Sequence, residues 1–351
     1  MSWVTEIARP EIVALKAYGP MAWEPELTRL HANELPWRIP GDDSRAGLNR
    51  YPQPQPRALI ERLATLYEVS PARILAARGS DEAIDLLIRT FCRPDSDAVL
   101  VCPPTFGMYT VAAQIQGARV LPVPLRAAAG FSLDEEAVLR HATSQVKIVF
   151  LCSPNNPTGN LLDHQAILRV AAKLAGRALV VVDEAYLEFA ASVSLARHIP
   201  RQPNLCVLRT LSKAHGLAGA RLGALIADPE IVKLARKVIH PYAITQLTVE
   251  AALRLLDPAG APARQERLAM IRSERQRVSR ALSELPLVRR VWPSAANFVL
   301  AEFQDAATAL ARARTARLLV RDARVHPQLP GSLRITIGAA AQNTRLLQAW
   351  S

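Results

Sequence analysis

Runs of consecutive apolar residues, each closed by a polar or turn-forming residue, recur through the first part of this chain with helix-length segments between them. Ala98-Val99-Leu100-Val101 ends at Pro103-Pro104. Val146-Lys147-Ile148-Val149-Phe150-Leu151, Leu179-Val180-Val181-Val182 and Leu205-Cys206-Val207-Leu208 follow, and residues 222–227 form a fifth candidate. Strands without polar alternation are buried on both faces. Residues 56–68, 81–93, 105–116 and 163–174 carry helical patterns; in the second, Ile84, Leu87, Ile88 and Phe91 share one face. The alternation predicts an α/β fold, a largely parallel sheet covered by helices on both sides.

His240-Pro241-Tyr242 predicts a boundary. Beyond it come a long arginine-rich helix over about residues 262–285 and short strands at 297–301, 317–321 and 333–337. Helices at 304–313 and 340–349 alternate with these strands. This is an α+β pattern, suited to a smaller domain. The expected organisation is an N-terminal segment (1–38) packing on the small domain, a large domain (39–240) and a small domain (241–351). A chain of 351 residues, 50% hydrophobic, can bury the cores this requires.

No apolar run approaches the roughly 18 residues needed to cross a membrane. The N-terminus lacks the basic start and apolar core of a signal peptide, so a cytoplasmic protein with no membrane partner is expected. Cys92, Cys102, Cys152 and Cys206 lie in or beside apolar runs without Cys-x-x-Cys spacing. Free buried thiols are expected, with neither disulfides nor a metal site. The net charge of +12 comes from arginines scattered along the chain rather than from a basic block. A nucleic-acid partner is therefore not expected, although the positive field favours anionic substrates.

Only six of the 43 lysine and arginine residues are lysine: Lys16, Lys147, Lys173, Lys213, Lys233 and Lys237. Lys213 lies in Arg209-Thr210-Leu211-Ser212-Lys213-Ala214, just after an apolar strand. Lysine, unlike arginine, can lose its proton and condense with an aldehyde. Ligands of open α/β sheets bind beyond the carboxyl ends of the strands. Asn156, Asp183 and Lys213 each follow such a strand and should meet in one crevice.

These residue types suit pyridoxal phosphate, which needs an anchor, a partner for its pyridine nitrogen, donors to the ring oxygen, a ring clamp and a phosphate cradle. Lys213 is the expected anchor and proton carrier. Asp183, at the end of Val180-Val181-Val182, is costly to bury unless paired, and a protonated pyridine nitrogen would pair it. Glu184, the next residue, should face away and be structural. Asn156 and Tyr186 are the expected donors to the ring oxygen. Gly79-Ser80-Asp81 opens a helix whose free amides suit a phosphate, with Ser212 and Arg221 adding a hydroxyl and a guanidinium. Tyr109 is the chosen ring clamp and Phe106 the alternative. Arg321 and Arg334 lie in apolar strand patterns, where an arginine faces solvent or pairs with an anion; they are the candidates for reading the substrate.

With these segments assembled, the chain resembles the histidinol-phosphate aminotransferase family of fold-type-I pyridoxal phosphate enzymes. The resemblance rests on Asn49-Arg50-Tyr51-Pro52, Arg78-Gly79-Ser80-Asp81-Glu82, Cys102-Pro103-Pro104-Thr105-Phe106-Gly107-Met108-Tyr109, Cys152-Ser153-Pro154-Asn155-Asn156-Pro157-Thr158-Gly159, Asp183-Glu184-Ala185-Tyr186, the Lys213 segment and Leu333-Arg334-Ile335-Thr336-Ile337-Gly338. It implies a large domain with a mostly parallel seven-stranded sheet, a smaller α+β domain and a homodimer. It also implies amino transfer between L-histidinol phosphate and 2-oxoglutarate, giving imidazole acetol phosphate and L-glutamate. Thr210 would join the cofactor site, and Tyr51 would reach the cofactor phosphate of the partner subunit. Arg321 and Arg334 would hold the anionic end of the substrate, while Tyr18 and Asn33 would help close the site. An aromatic-amino-acid transaminase and a phosphothreonine-type decarboxylase share much of this motif set. The chain departs from the usual pattern at Ser80, Phe106 and His215, and in Asn33-Glu34-Leu35-Pro36.

Overall fold

The computed structural model describes residues 2–18, 24 and 26–351. Its larger sheet contains β1 (Ile74–Ala77), β2 (Ala98–Val101), β3 (Arg119–Pro122), β4 (Val146–Cys152), β5 (Leu179–Asp183), β6 (Leu205–Thr210) and β7 (Gly223–Ile226). The spatial order is β1-β7-β6-β5-β4-β2-β3. Strands β3, β2, β4, β5 and β6 run parallel; β7 is antiparallel to both β6 and β1. This is the seven-stranded, mostly parallel sheet that the resemblance implied.

Every residue of β2, β5 and β6 is buried, as expected of strands lacking polar alternation. Their alternate side chains feed two cores. Val180, Val182, Leu205 and Val207 pack with Leu59 and Leu63 of the Arg57–Tyr67 helix. Leu179, Val181, Cys206 and Leu208 point the other way, onto Phe91 and Tyr109. By the same pleat, Asp183 belongs to the Tyr109 side, and Glu184 and Arg209 to the opposite side.

A second sheet, all antiparallel, has the order β10-β11-β9-β8. Its strands are β8 (Val288–Val291), β9 (Phe298–Phe303), β10 (Arg321–Asp322) and β11 (Ser332–Thr336). The Ala261–Glu284, Ala306–Thr315 and Ala340–Trp350 helices enclose a core that includes Val278, Leu282, Phe303, Leu333 and Trp350. A small apolar seam joins the two sheets: Ala185, Tyr186 and Phe189 meet Leu268, Ala296 and Phe298.

Several expectations need correction. The strand expected at 317–321 shrinks to the two residues of β10, because Arg317 sits in the left-handed region at φ 56° and the chain is still turning out of the preceding helix. The first described residues pack on the large sheet instead of the small one. Val4, Ile7 and Ala8 join the core of the large sheet, Arg9 N–H donates to Thr90 O, and Lys237 Nζ donates to Val13 O. The expected boundary at 240 also falls early. The Gln246–Leu255 helix buries Val249 and Ala252 in the large core, so the change of core comes after it. Among the described residues no helix is long and apolar enough to cross a membrane.

One close approach positions the site. A Cβ at Gly223 would lie 2.5 Å from Gly79 C, 2.6 Å from Ser80 N and 2.9 Å from Arg209 O. Only a residue without a side chain lets β7 run against the start of the Gly79–Phe91 helix. Gly223→Ala should destabilise the protein by about 1–3 kcal/mol through overpacking. Urea unfolding measures this, and an unchanged midpoint would show that the helix start has room to move.

Candidate active site

Cys152, Asp183 and Leu208 lie level across β4, β5 and β6. The turns that follow these strands therefore open on the same edge of the sheet. Ser80, Asp81, Asn156, Asp183, Tyr186, Thr210, Ser212, Lys213 and Arg221 line one pocket there, together with Phe106, Cys152 and Ala185.

Asp183 is 3% exposed. Its Oδ2 accepts a hydrogen bond from Tyr109 Oη at 2.8 Å, and its Oδ1 accepts one from Ala185 N at 3.0 Å. Both donors are neutral. Burial raises the carboxyl to about 6, and the two hydrogen bonds only partly oppose that rise. An anionic carboxylate held this way lacks the cation that would make its burial favourable.

Lys213 follows β6 across the pocket, its Nζ 5.7 Å from the centre of the Tyr186 ring. Burial, then the nearby Arg334, lower its ammonium below the ordinary lysine value. The shift increases the fraction of free amine, the form that attacks a carbonyl. Tyr186 packs edge-on to Phe298, and Asn156 Nδ2 lies 3.5 Å from its hydroxyl, long for a hydrogen bond.

At the other end of the pocket, the Gly79–Phe91 helix presents its first-turn amides. Gly79 has φ +80°, and a Cβ there would strike the Arg221 guanidinium at 2.7 Å. Arg221, itself left-handed at φ 53°, lies over this helix start. Its Nη2 contacts Asp81 Oδ2 at 3.1 Å and its Nη1 contacts Ser212 Oγ at 3.4 Å. Helix amides, a hydroxyl and a guanidinium are the donor set of a phosphate site.

The two aromatic candidates of this segment occupy different places. Tyr109 is fully buried behind the pocket, bonded to Asp183 and stacked on Phe150 at 4.7 Å. Phe106, which meets Tyr109 edge-on at 5.6 Å, is the aromatic on the pocket wall. Their spacing of three could not separate the two roles. The Tyr109 hydroxyl, which needs a partner when buried, was the usable signal.

Arg334 on β11 donates a hydrogen bond to Asn156 Oδ1, and its guanidinium carbon lies 5.2 Å from the centre of the Phe298 ring. Directly across the ladder from it stands Arg321. Like charges opposite each other in a sheet repel, and among the described residues neither arginine has a carboxylate in ion-pair contact. A bound anion would resolve that. Tyr51, Tyr18 and Asn33 do not line the pocket. Tyr51 is exposed and stacked on Tyr242 at 4.5 Å, Tyr18 is exposed, and Asn33 is left-handed at φ 56°. Among the described residues no group of acidic, histidine or cysteine side chains is arranged to hold a metal ion.

The raised Asp183 carboxyl has a consequence for the cofactor-free protein. The folded chain holds this proton at pH values where the unfolded chain has lost it, so stability falls as pH rises through about 6. The loss should be on the order of 2–3 kcal/mol between pH 4 and 7.5. Asp183→Asn should remove that part of the slope, as thermal unfolding of both proteins across this range would show. Equal slopes would mean that the carboxylate is not penalised by burial.

Residues 35–349 match the aminotransferase class I and II family. The histidinol-phosphate aminotransferase of Stenotrophomonas maltophilia is 47% identical, over 99% of this chain and 96% of that protein. The Xylella fastidiosa protein of the same name is 49% identical, over 91% of this chain and 87% of that one. Among solved structures, histidinol-phosphate aminotransferase from Sinorhizobium meliloti in complex with pyridoxal-5'-phosphate superimposes with a TM-score of 0.77. It has 26% identity and covers 86% of this chain and 82% of that one.

Proposed function

The chain belongs to the aminotransferase class I and II family, among its histidinol-phosphate aminotransferases, and on that premise we propose how its own residues carry the activity. It transfers an amino group reversibly between L-histidinol phosphate and 2-oxoglutarate, giving imidazole acetol phosphate and L-glutamate, in L-histidine biosynthesis. The carrying observation is Asp183, a buried carboxylate with only neutral donors, facing a lysine whose ammonium is disfavoured by burial.

Pyridoxal phosphate, when bound, supplies an aldehyde and an electron-withdrawing pyridine ring. Lys213 Nζ would anchor it and, once free, would carry the proton taken from the amine-bearing carbon of the substrate. Asp183 would serve the ring nitrogen as a counter-charge, with its carboxylate held by Tyr109 Oη and Ala185 N–H. Asn156 and Tyr186 would donate to the ring oxygen, and Phe106 would clamp the ring. Ser80, the amide of Asp81, Thr210, Ser212 and Arg221 would hold the phosphate. Arg334 and Arg321 read the substrate's anionic end, the phosphate of histidinol phosphate or a carboxylate of glutamate. In this reading the large sheet would hold the cofactor and the small sheet would read the substrate.

A homodimer is part of this reading. Tyr51 would serve the phosphate of the partner subunit, with Tyr18 and Asn33 near the substrate entrance. The exposure of Leu30, Trp37, Ile39 and Leu247 supports a covered face in that region. The compartment proposed is the cytoplasm.

The test is product analysis with L-histidinol phosphate and 2-oxoglutarate. Glutamate should form in equal amount with imidazole acetol phosphate. Preferential use of an aromatic amino acid, or release of carbon dioxide from a phosphorylated amino acid without any keto acid, would replace this reading with one of its rivals. Lys213→Ala should abolish turnover. Arg334→Ala should raise KM for histidinol phosphate about 10- to 100-fold, the worth of a charge-assisted hydrogen bond. Steady-state kinetics with varied substrate separates the two effects.

A further inference from the structure

A buried ionic chain lies behind the pocket, on the opposite face of the sheet from Asp183. Arg209 Nη1 contacts Glu184 Oε2 at 3.0 Å, and Arg209 Nη2 contacts Glu188 Oε1 at 2.7 Å. The same Glu188 oxygen lies 3.4 Å from His215 Nε2. The side chains of Glu184, Arg209, His215 and Glu188 are only 1%, 8%, 9% and 13% exposed. Such a set persists only if its members hold one another.

The chain joins three parts of the machinery. Glu184 follows Asp183, and its carboxylate is fixed by Ser194 Oγ at 2.6 Å and Leu195 N at 2.7 Å. Glu188 lies two residues after Tyr186. Its carbonyl accepts from Arg272 Nη2 at 2.7 Å, which ties this turn to the long helix of the small sheet. His215 lies two residues after Lys213, in a turn closed by Leu217 N–H donating to Leu211 O at 3.0 Å. Among the described residues neither ring nitrogen of His215 has a hydrogen-bond partner, and Glu188 is its ion-pair contact. A buried imidazole with no other polar contact is held in by that pairing.

We propose that Glu188 and His215 are positioning residues, a tether between the Tyr186 and Lys213 turns that sets where the Lys213 amine stands. Neither residue touches the pocket. Burial opposes the Glu188 charge, but Arg209 and then His215 outweigh it and hold the carboxyl down at about 2. Glu188 is therefore a carboxylate throughout the working range. His215 Nε2 approaches the same Glu188 oxygen that Arg209 Nη2 holds, so the two turns meet on one carboxylate.

The proposal rests on the reading of Lys213 as the cofactor anchor, and the test separates the two. Wild type, Glu188→Gln, His215→Ala and His215→Gln are compared as holoenzymes in the reaction with L-histidinol phosphate. Displacing a reacting group by about 1 Å lowers rate up to about 100-fold. A kcat loss of about 10- to 100-fold is accordingly expected in Glu188→Gln and His215→Ala, with KM little changed. The visible circular dichroism of the bound cofactor should change with it. Hydrogen–deuterium exchange should quicken in residues 211–217 and 184–190 of both variants, with or without cofactor. His215→Gln, whose side-chain amide can donate to the same Glu188 oxygen, should recover most of the rate. Unchanged kcat and exchange, or equal damage from the alanine and glutamine replacements at 215, would overturn the tether. A wild-type protein that binds no pyridoxal phosphate would instead overturn the reading on which the tether rests.

Discussion

The common register of β4, β5 and β6 is the constraint on which the rest depends. It brings Cys152, Asp183 and Leu208 to one level, so that turns distant in sequence open onto one crevice. A slip of one residue in β5 would exchange the faces of Asp183 and Glu184. The carboxylate with neutral donors would then point into the ionic chain, and the one built to meet Arg209 would point into the pocket. The fully buried, β-branched run of β5 prevents this, because each face is matched to its own core.

The two adjacent acids show how burial is used in opposite ways. Glu184 is fully partnered by Arg209, Ser194 and Leu195 N–H, and it serves the framework. Asp183 is given only the hydroxyl of Tyr109 and one amide, and it keeps a demand for a cation. Lys213 is the complement: burial disfavours its charge and makes its amine available. Strain of this kind in a cleft marks a site for chemistry, since stability alone would favour closing both gaps.

Much of this could be read from the chain. The central strands were legible because short continuous apolar runs closed by turn residues suit strands buried on both faces, and the residues after them follow from the geometry of α/β sheets. The edges were not. β3 is half exposed and β8 carries Arg289 and Arg290 outward, so neither has a distinctive pattern. The choice between Phe106 and Tyr109 depended on which ring reaches the end of β5, a tertiary fact. The packing of Val4 and Ile7 on the large core was equally hidden, since short amphipathic helices fit many surfaces. The cross-strand pair of Arg321 and Arg334 could be suspected as two arginines in apolar surroundings, but their opposition needed the register.

The most direct measurement is the absorption spectrum of the purified holoenzyme during addition of L-histidinol phosphate alone. The visible band of the bound cofactor should fall while an ultraviolet pyridoxamine band rises, before any keto acid is present. A cofactor band left unchanged by histidinol phosphate, but converted by an aromatic amino acid, would contradict the assigned substrate. The absence of any cofactor band after addition of pyridoxal phosphate would contradict the assignment of Lys213 and Asp183 themselves.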